Sequence, residues 1–479
     1  MEEYYHGVRV QENPTSVPTP IKNTGGVPVV FGTSPVNMAS ALAAAVNKPV
    51  LCNSFEEAKA AFGYSDDYES FTLCQTMDAF FKVFGIAPVV LVNVLNPAKH
   101  KKDYTEELNV KAGLAQSTKT GIIATGLTVT DGGTALVYGT DYTTEFDSDG
   151  TLIFTVIKDG VTKISVSGSQ LDPKAVKADD IIGSYDAETG DETGMELVRQ
   201  VYPKFNVVPN LLLAPGWSST PEVGISLAAK CQNINGVFSC ECVTDLDTTT
   251  VRKYTDVAKA KTEAGYDVFK HMICLWPKVK YSGKIFDYSA IYAAMVLYTD
   301  ANNDSVPNLS PSNKPLGISA TVLADGTEVT LDIPQANVLN KAGIVTAVNS
   351  EGFKAWGNNT AAIAVTKDPK DRWICCRRFF SWWGNSFITT YAKKVDDPAN
   401  FRLIESVVDS ENVRGNALVS QGKCAGIKMA YKPEDNPIGN VIDGKVVFRQ
   451  YLAPYTPAED ILNILEFDVS MIQAALGGE

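Results

Sequence analysis

The chain has 479 residues, more than one hydrophobic core usually supports, so roughly two to four domains are expected. Its 45% hydrophobic and 20% charged fractions are those of a globular protein and exclude a disordered one. A formal net charge of -13 disfavours nucleic acid and anionic membranes as partners, because both are held by clustered Lys and Arg.

The longest apolar stretches, 87–95 and 207–215, are far too short to cross a bilayer. The acidic start Met1-Glu2-Glu3 lacks the basic and apolar regions of a signal peptide. The expectation is a protein kept in the cytoplasm, or leaving it by a route other than ordinary secretion. Nine scattered cysteines, an odd number, read as free and mostly buried thiols in a reducing compartment.

In chain order, residues 1–25 form an arm. Gly7-Val8-Arg9-Val10-Gln11 alternates as a strand does, and Pro14, Pro18 and Pro20 keep the following chain extended. Residues 26–117 open an α/β core, with apolar strands at 27–32 and 88–94 and helical spacing at 38–47, 54–62 and 73–84. Ser54, with Glu57 three residues on, is a capping box. Residues 118–180 turn rich in Thr, Gly, Asp and Val, and short strands between Asp-Gly turns predict an inserted β-sandwich or barrel. The α/β alternation resumes over 181–345, with strands at 207–214, 237–243 and 268–276, and implies a mostly parallel, doubly wound sheet. A C-terminal α+β domain over 346–454 holds a helix near 397–418 and strands at 426–431 and 446–454. Residues 455–479 form a second arm with a candidate strand within 458–470.

Catalytic and ligand-binding motifs are scarce. Of three histidines, His6 lies on the arm, His100 in a basic patch and His271 in a core strand. Pro215-Gly216-Trp217-Ser218-Ser219 only brushes the nucleophile-elbow pattern. Gly422-Lys423-Cys424 lacks the Ser or Thr of a phosphate loop. Cys231, Cys240, Cys242, His271 and Cys274 match no standard zinc spacing, and the acidic run 186–196 is no calcium loop. No cofactor and no metal is expected. The dense aromatics Trp373, Phe379, Phe380, Trp382 and Trp383 suit either a core or a protein contact.

Several segments, in order along nearly the whole chain, resemble the contractile tail sheath family. They are Tyr5-His6-Gly7-Val8-Arg9-Val10 at the first arm and Pro28-Val29-Val30-Phe31-Gly32-Thr33-Ser34 at the first core strand. Later come Tyr138-Gly139-Thr140-Asp141-Tyr142, Leu339-Asn340-Lys341-Ala342-Gly343-Ile344 and Trp356-Gly357-Asn358-Asn359-Thr360. Asp371-Arg372-Trp373 and Tyr455-Thr456-Pro457-Ala458-Glu459-Asp460-Ile461 complete the set. The resemblance implies a subtilisin-like α/β core without catalysis, in phage tails, tailocins or related injection systems. It implies a helical homopolymer around an inner tail tube protein, bounded by baseplate and tail terminator proteins and assembled in the bacterial cytoplasm. Neighbouring subunits would be joined by arm strands carrying Val8, Val10, Ile461, Asn463, Ile464, Leu465 and Phe467. Two rivals remain open: an α/β hydrolase-type enzyme, and a non-contractile tube or baseplate component.

Overall fold

The computed structural model describes residues 21–477 apart from 23, 43, 44 and 148. Val8 and Val10 of the first arm therefore lie outside the described residues.

The fold is a multidomain mixture of α and β built on an eight-stranded sheet. Its strands are β1 (Val27–Gly32), β2 (Pro49–Cys52), β3 (Val89–Asn93), and further along the chain Pro209–Leu213, Glu241–Asp245, Met272–Leu275, Ile344–Asn349 and Phe353–Trp356. β1 and β3 are buried at every position, as the unbroken apolar runs of strands covered on both faces require. The order across the sheet is Phe353–Trp356, Ile344–Asn349, Met272–Leu275, Glu241–Asp245, Pro209–Leu213, β1, β3, β2. From β1 the chain passes to the edge strand β2, returns to place β3 between the two, and then builds outward from β1 on the other side. Only the two edge strands run antiparallel to their neighbours.

Helix α1 (Phe55–Phe62) starts at Ser54, whose Oγ accepts from Glu57 N at 3.2 Å, while the Glu57 carboxylate accepts from Asn53 N at 2.8 Å. Helix α2 (Thr72–Met77) runs on as a wider turn to Phe84. The helix expected over 38–47 is replaced by a three-residue turn, Val36–Met38, and bends beyond it. Within that turn Asn37 is buried and donates to Ile122 O at 3.2 Å.

The inserted β unit begins earlier than residue 118. β4 (Lys101–Asn109) pairs along its whole length with Lys163–Leu171 in a four-stranded sheet. A three-stranded sheet joins Tyr142–Phe146, Thr151–Val156 and Leu114–Thr120. Inward side chains such as Tyr104, Leu108, Leu152, Phe154, Ile164 and Val166 form a core separate from the main one. Entry and exit are adjacent, with Asp172 N donating to His100 O at 2.9 Å.

Beyond Phe353–Trp356, the chain forms a helical unit on the N-terminal ends of the sheet strands. Ile374–Tyr391 carries the dense aromatics as one helix, with Phe379 and Trp383 in a core with Leu418, Cys424 and Ile427. Polar links fasten it to the main body, three of them along this helix's inner face. Arg378 pairs with Asp300 of the core helix Tyr288–Ala301, both 4% exposed; Ser381 donates to Glu241 at 2.6 Å; and Asn385 bonds both backbone groups of Ser239. Removing one member of such a buried pair leaves the other charge uncompensated. Arg378→Ala should therefore lower unfolding stability by about 3–5 kcal/mol in denaturant titration, and the apolar pair Arg378→Met with Asp300→Leu should recover much of the loss.

Candidate assembly surfaces

The C-terminal unit ends in a two-stranded antiparallel sheet, Gly426–Tyr431 with Phe448–Ala453, sitting on the helix Phe401–Ser420. That helix is opened by Asn400, whose side chain accepts from Leu403 N at 3.0 Å. Val407, Glu411, Gly415 and Leu418 are its buried positions, a spacing that places them on one face. A Cβ at Gly415 would stand 2.8 Å from Ile427 Cβ, so helix and strand meet this closely only because the residue is glycine.

After Ala453 the chain runs to Asp468 without regular secondary structure and then forms a short exposed helix, Val469–Ala475. The strand expected within 458–470 is thus absent from the single chain. A lone strand cannot satisfy its own backbone, and among the described residues no strand lies beside this segment. Its root is held: the Glu459 carboxylate accepts from Arg372 at 2.6 Å and from Asn359 at 3.1 Å. Past that point Ile461, Leu462, Ile464, Leu465 and Phe467 are between 72% and 87% exposed, and Asn463 is exposed with them. So many consecutive apolar side chains in water mark a surface awaiting a partner.

The core's polar groups do not assemble a triad. Ser218 and Ser289 donate to Asp245 at the carboxyl end of its strand, while His271 lies beside Glu241 at the other end, 3.4 Å away. Four residue steps along the strand separate the two ends by about 13 Å. His271 Nδ1 is 2.9 Å from Cys240 O, and Glu241 is held below its usual pKa: burial opposes ionisation, but His271, Arg377 and Ser381 outweigh it. His100 is buried, and its Nδ1 accepts from Asn96 N at 3.0 Å. All nine cysteines are free and buried. Among the described residues no group of His, Cys, Asp or Glu could hold a metal ion, and no helix is long and apolar enough to cross a membrane.

A cleft of about 540 Å³ separates the sheet from Ile374–Tyr391, lined by Glu241, Asp300, Arg378, Ser381, Trp382 and Asn385. These are the groups that join the two units. The aromatic run is therefore mostly core, with Trp382 half-buried at the seam.

An α/β body with an inserted β unit, an apolar tail and a small sheet of open edge is the anatomy of a chain made to associate. Along its full length it is similar to the tail sheath protein of Burkholderia phage BcepMu, 26% identical over 494 aligned positions covering 99% of each chain. A chain of the anti-feeding prophage baseplate structure shares the fold with a TM-score of 0.59 at 14% identity, covering 98% of this chain and all of that one. The contracted sheath complex of PVC, an extracellular contractile injection system, gives 0.58 at 16% identity, over 98% and 99% of the two chains. No protein-family model matches the chain. The similarity to that phage tail sheath protein thus runs over the full length of the chain.

One buried carboxyl gives the body a pH dependence. Burial first, and then the neighbouring Asp287 charge, push Asp245 up to about 7, against the pull of Ser289 and Lys278. A carboxyl whose folded pKa is raised stabilises the fold fully below the ordinary carboxylate value, and that contribution is lost as pH rises through the folded pKa. Wild-type stability should accordingly fall between about pH 4 and about pH 7 by a component that Asp245→Asn lacks, measured as the difference in denaturant midpoints of the two proteins.

Proposed function

We propose that this chain is the sheath subunit of a contractile tail or related injection machine. Copies polymerise helically around an inner tail tube, between baseplate and terminator proteins, and contraction drives the tube through a cell envelope. The observation that carries this reading is the pairing, in one chain similar throughout to a phage tail sheath protein, of an apolar unpartnered tail with an open-edged two-stranded sheet. We read the eight-stranded sheet as the family's subtilisin-like core, the two sheets between Lys101 and Leu171 as its inserted β-sandwich, and residues 346–454 as its C-terminal domain. Residues 1–25 and 455–479 are the arms, and the polymer is a particle component assembled in the bacterial cytoplasm.

Repeating contacts that do not close on themselves build an open helix. Strand addition suits such contacts, because main-chain hydrogen bonds hold subunits together while side chains select register. Val8 and Val10 in the first arm, and Ile461, Asn463, Ile464, Leu465 and Phe467 in the second, are the residues assigned to it. The hydrolase reading finds no support, since Ser218 and His271 occupy opposite ends of the sheet.

Two results are expected of the purified protein. Ile464→Pro removes one donor from the arm and fixes its φ. The side chain is 72% exposed, so monomer stability should change by no more than about 0.5 kcal/mol while tubes vanish in electron micrographs. Val10→Pro should behave alike; normal tubes from both variants would overturn the strand role of the arms. Excising 101–171 and joining His100 to Asp172 by a short linker should leave a cooperatively melting protein that still forms tubes, as expected of an insert on the outer surface.

A further inference from the structure

Four segments that carry the family resemblance, 339–344, 356–360, 371–373 and 455–461, meet at one point in the fold. Asn340 ends the helix Ile333–Lys341, and its side-chain amide donates to Ile344 O and Trp356 O, each at 2.9 Å. Gly357 follows with a φ of 127°, and a Cβ on it would stand 2.5 Å from the Asn340 side chain. Only glycine lets the chain pass there. Thr360 then closes on the third segment: its N–H donates to Arg372 O at 2.8 Å and its hydroxyl to Asp371 O at 2.6 Å. Ile374 N donates back to Asn358 O at 3.0 Å. Asn358, Asn359 and Thr360 are all buried, so this frame is held by backbone bonds shielded from water.

Two side chains of the frame turn toward the fourth segment. Asn359 Nδ2 donates one hydrogen to Asn340 O at 3.3 Å, and Arg372 Nε donates to Asn359 Oδ1 at 3.1 Å. The Arg372 guanidinium lies 3.9 Å from the centre of the Trp373 ring, which holds its plane. What remains is one N–H of Asn359 beside the outer N–H groups of Arg372, a fork shaped for the two oxygens of a carboxylate. Glu459 fills it, Oε1 accepting from Asn359 at 3.1 Å and Oε2 from Arg372 at 2.6 Å.

This contact matters little to the body. The Arg372 and Glu459 side chains are 39% and 45% exposed, and ion pairs so open to water contribute little stability. It matters more to the tail. Among the described residues Glu459 is the last one with a hydrogen bond or ion pair to the body, and the exposed apolar side chains begin two residues later.

We propose that Asn359 and Arg372 are positioning residues, a carboxylate socket that fixes where and in which direction residues 460–479 leave the body. Seating Glu459 restricts the free arm before it meets a neighbour, so less freedom is lost on association. The proposal rests on the strand-exchange reading of the arm and adds to it the residues that aim it.

Glu459→Ala, Arg372→Ala and the double variant test the socket in the full-length protein, with Ile464→Pro as the control for the arm itself. Glu459→Ala should keep the wild-type thermal midpoint while the protein concentration needed for tubes rises about tenfold. The double variant should be no worse than Arg372→Ala, since both changes remove the same contact. In the unassembled protein, nitroxides on Lys428→Cys and Leu462→Cys report the direction of the arm, and the buried native thiols leave a low labelling background. Their distance distribution should broaden when Glu459→Ala is added. A wild-type tube threshold and an unchanged distribution for Glu459→Ala, or effects that add in the double variant, would overturn the socket and leave strand exchange standing. Normal tubes from Ile464→Pro would remove the strand role of this arm, and the inference with it.

Discussion

A strand edge carries backbone donors and acceptors that must find partners, and among the described residues of this chain such an edge and an unpaired apolar segment both stand open. The edge is that of Phe448–Ala453 and the segment is the exposed tail beyond Glu459. Most proteins blunt open edges or cover them. Here the covering is selective: Asn412 bonds both backbone groups of Met429 on the edge of Gly426–Tyr431, and among the described residues no strand lies beside the other edge. The tail cannot fold against its own body as a strand without partners, so its apolar side chains stay in water. In the proposed strand exchange, association would relieve both deficits in one step.

What lies behind the edge is stiff. Arg378 with Asp300, Ser381 with Glu241 and Asn385 with Ser239 tie the C-terminal unit to the core at separate points. Buried pairs of this kind add little net stability over apolar packing, but each fixes one relative placement of the units it joins. A body fastened in this way moves as a piece, while the segment after Glu459 has no comparable ties. That division suits a lattice in which bodies rotate and repack while strand links persist.

Much of the body was legible in the sequence, because parallel strands buried on both faces read as unbroken apolar runs. Val27 to Gly32, Val89 to Asn93 and Pro209 to Leu213 stand where the pattern puts them. The β unit was harder. Lys101–Asn109 is charged and alternating, so its membership shows only in its pairing with Lys163–Leu171. The helix Ile374–Tyr391 was hidden by its aromatics, whose bulk obscures helical spacing. The assembly surface divides likewise. The apolar tail stands out in the sequence, whereas the unequal edges depend on Asn412 reaching Met429 across seventeen residues, which no local pattern records.

The most direct measurement is hydrogen–deuterium exchange on the free subunit and on the assembled polymer, resolved to the segments 448–452 and 461–467. If subunits are joined by strand addition, the amides of Phe448, Gln450 and Leu452 and those of the tail exchange quickly in the subunit and become protected together on assembly. Equal and rapid exchange of both segments in the polymer would contradict the account.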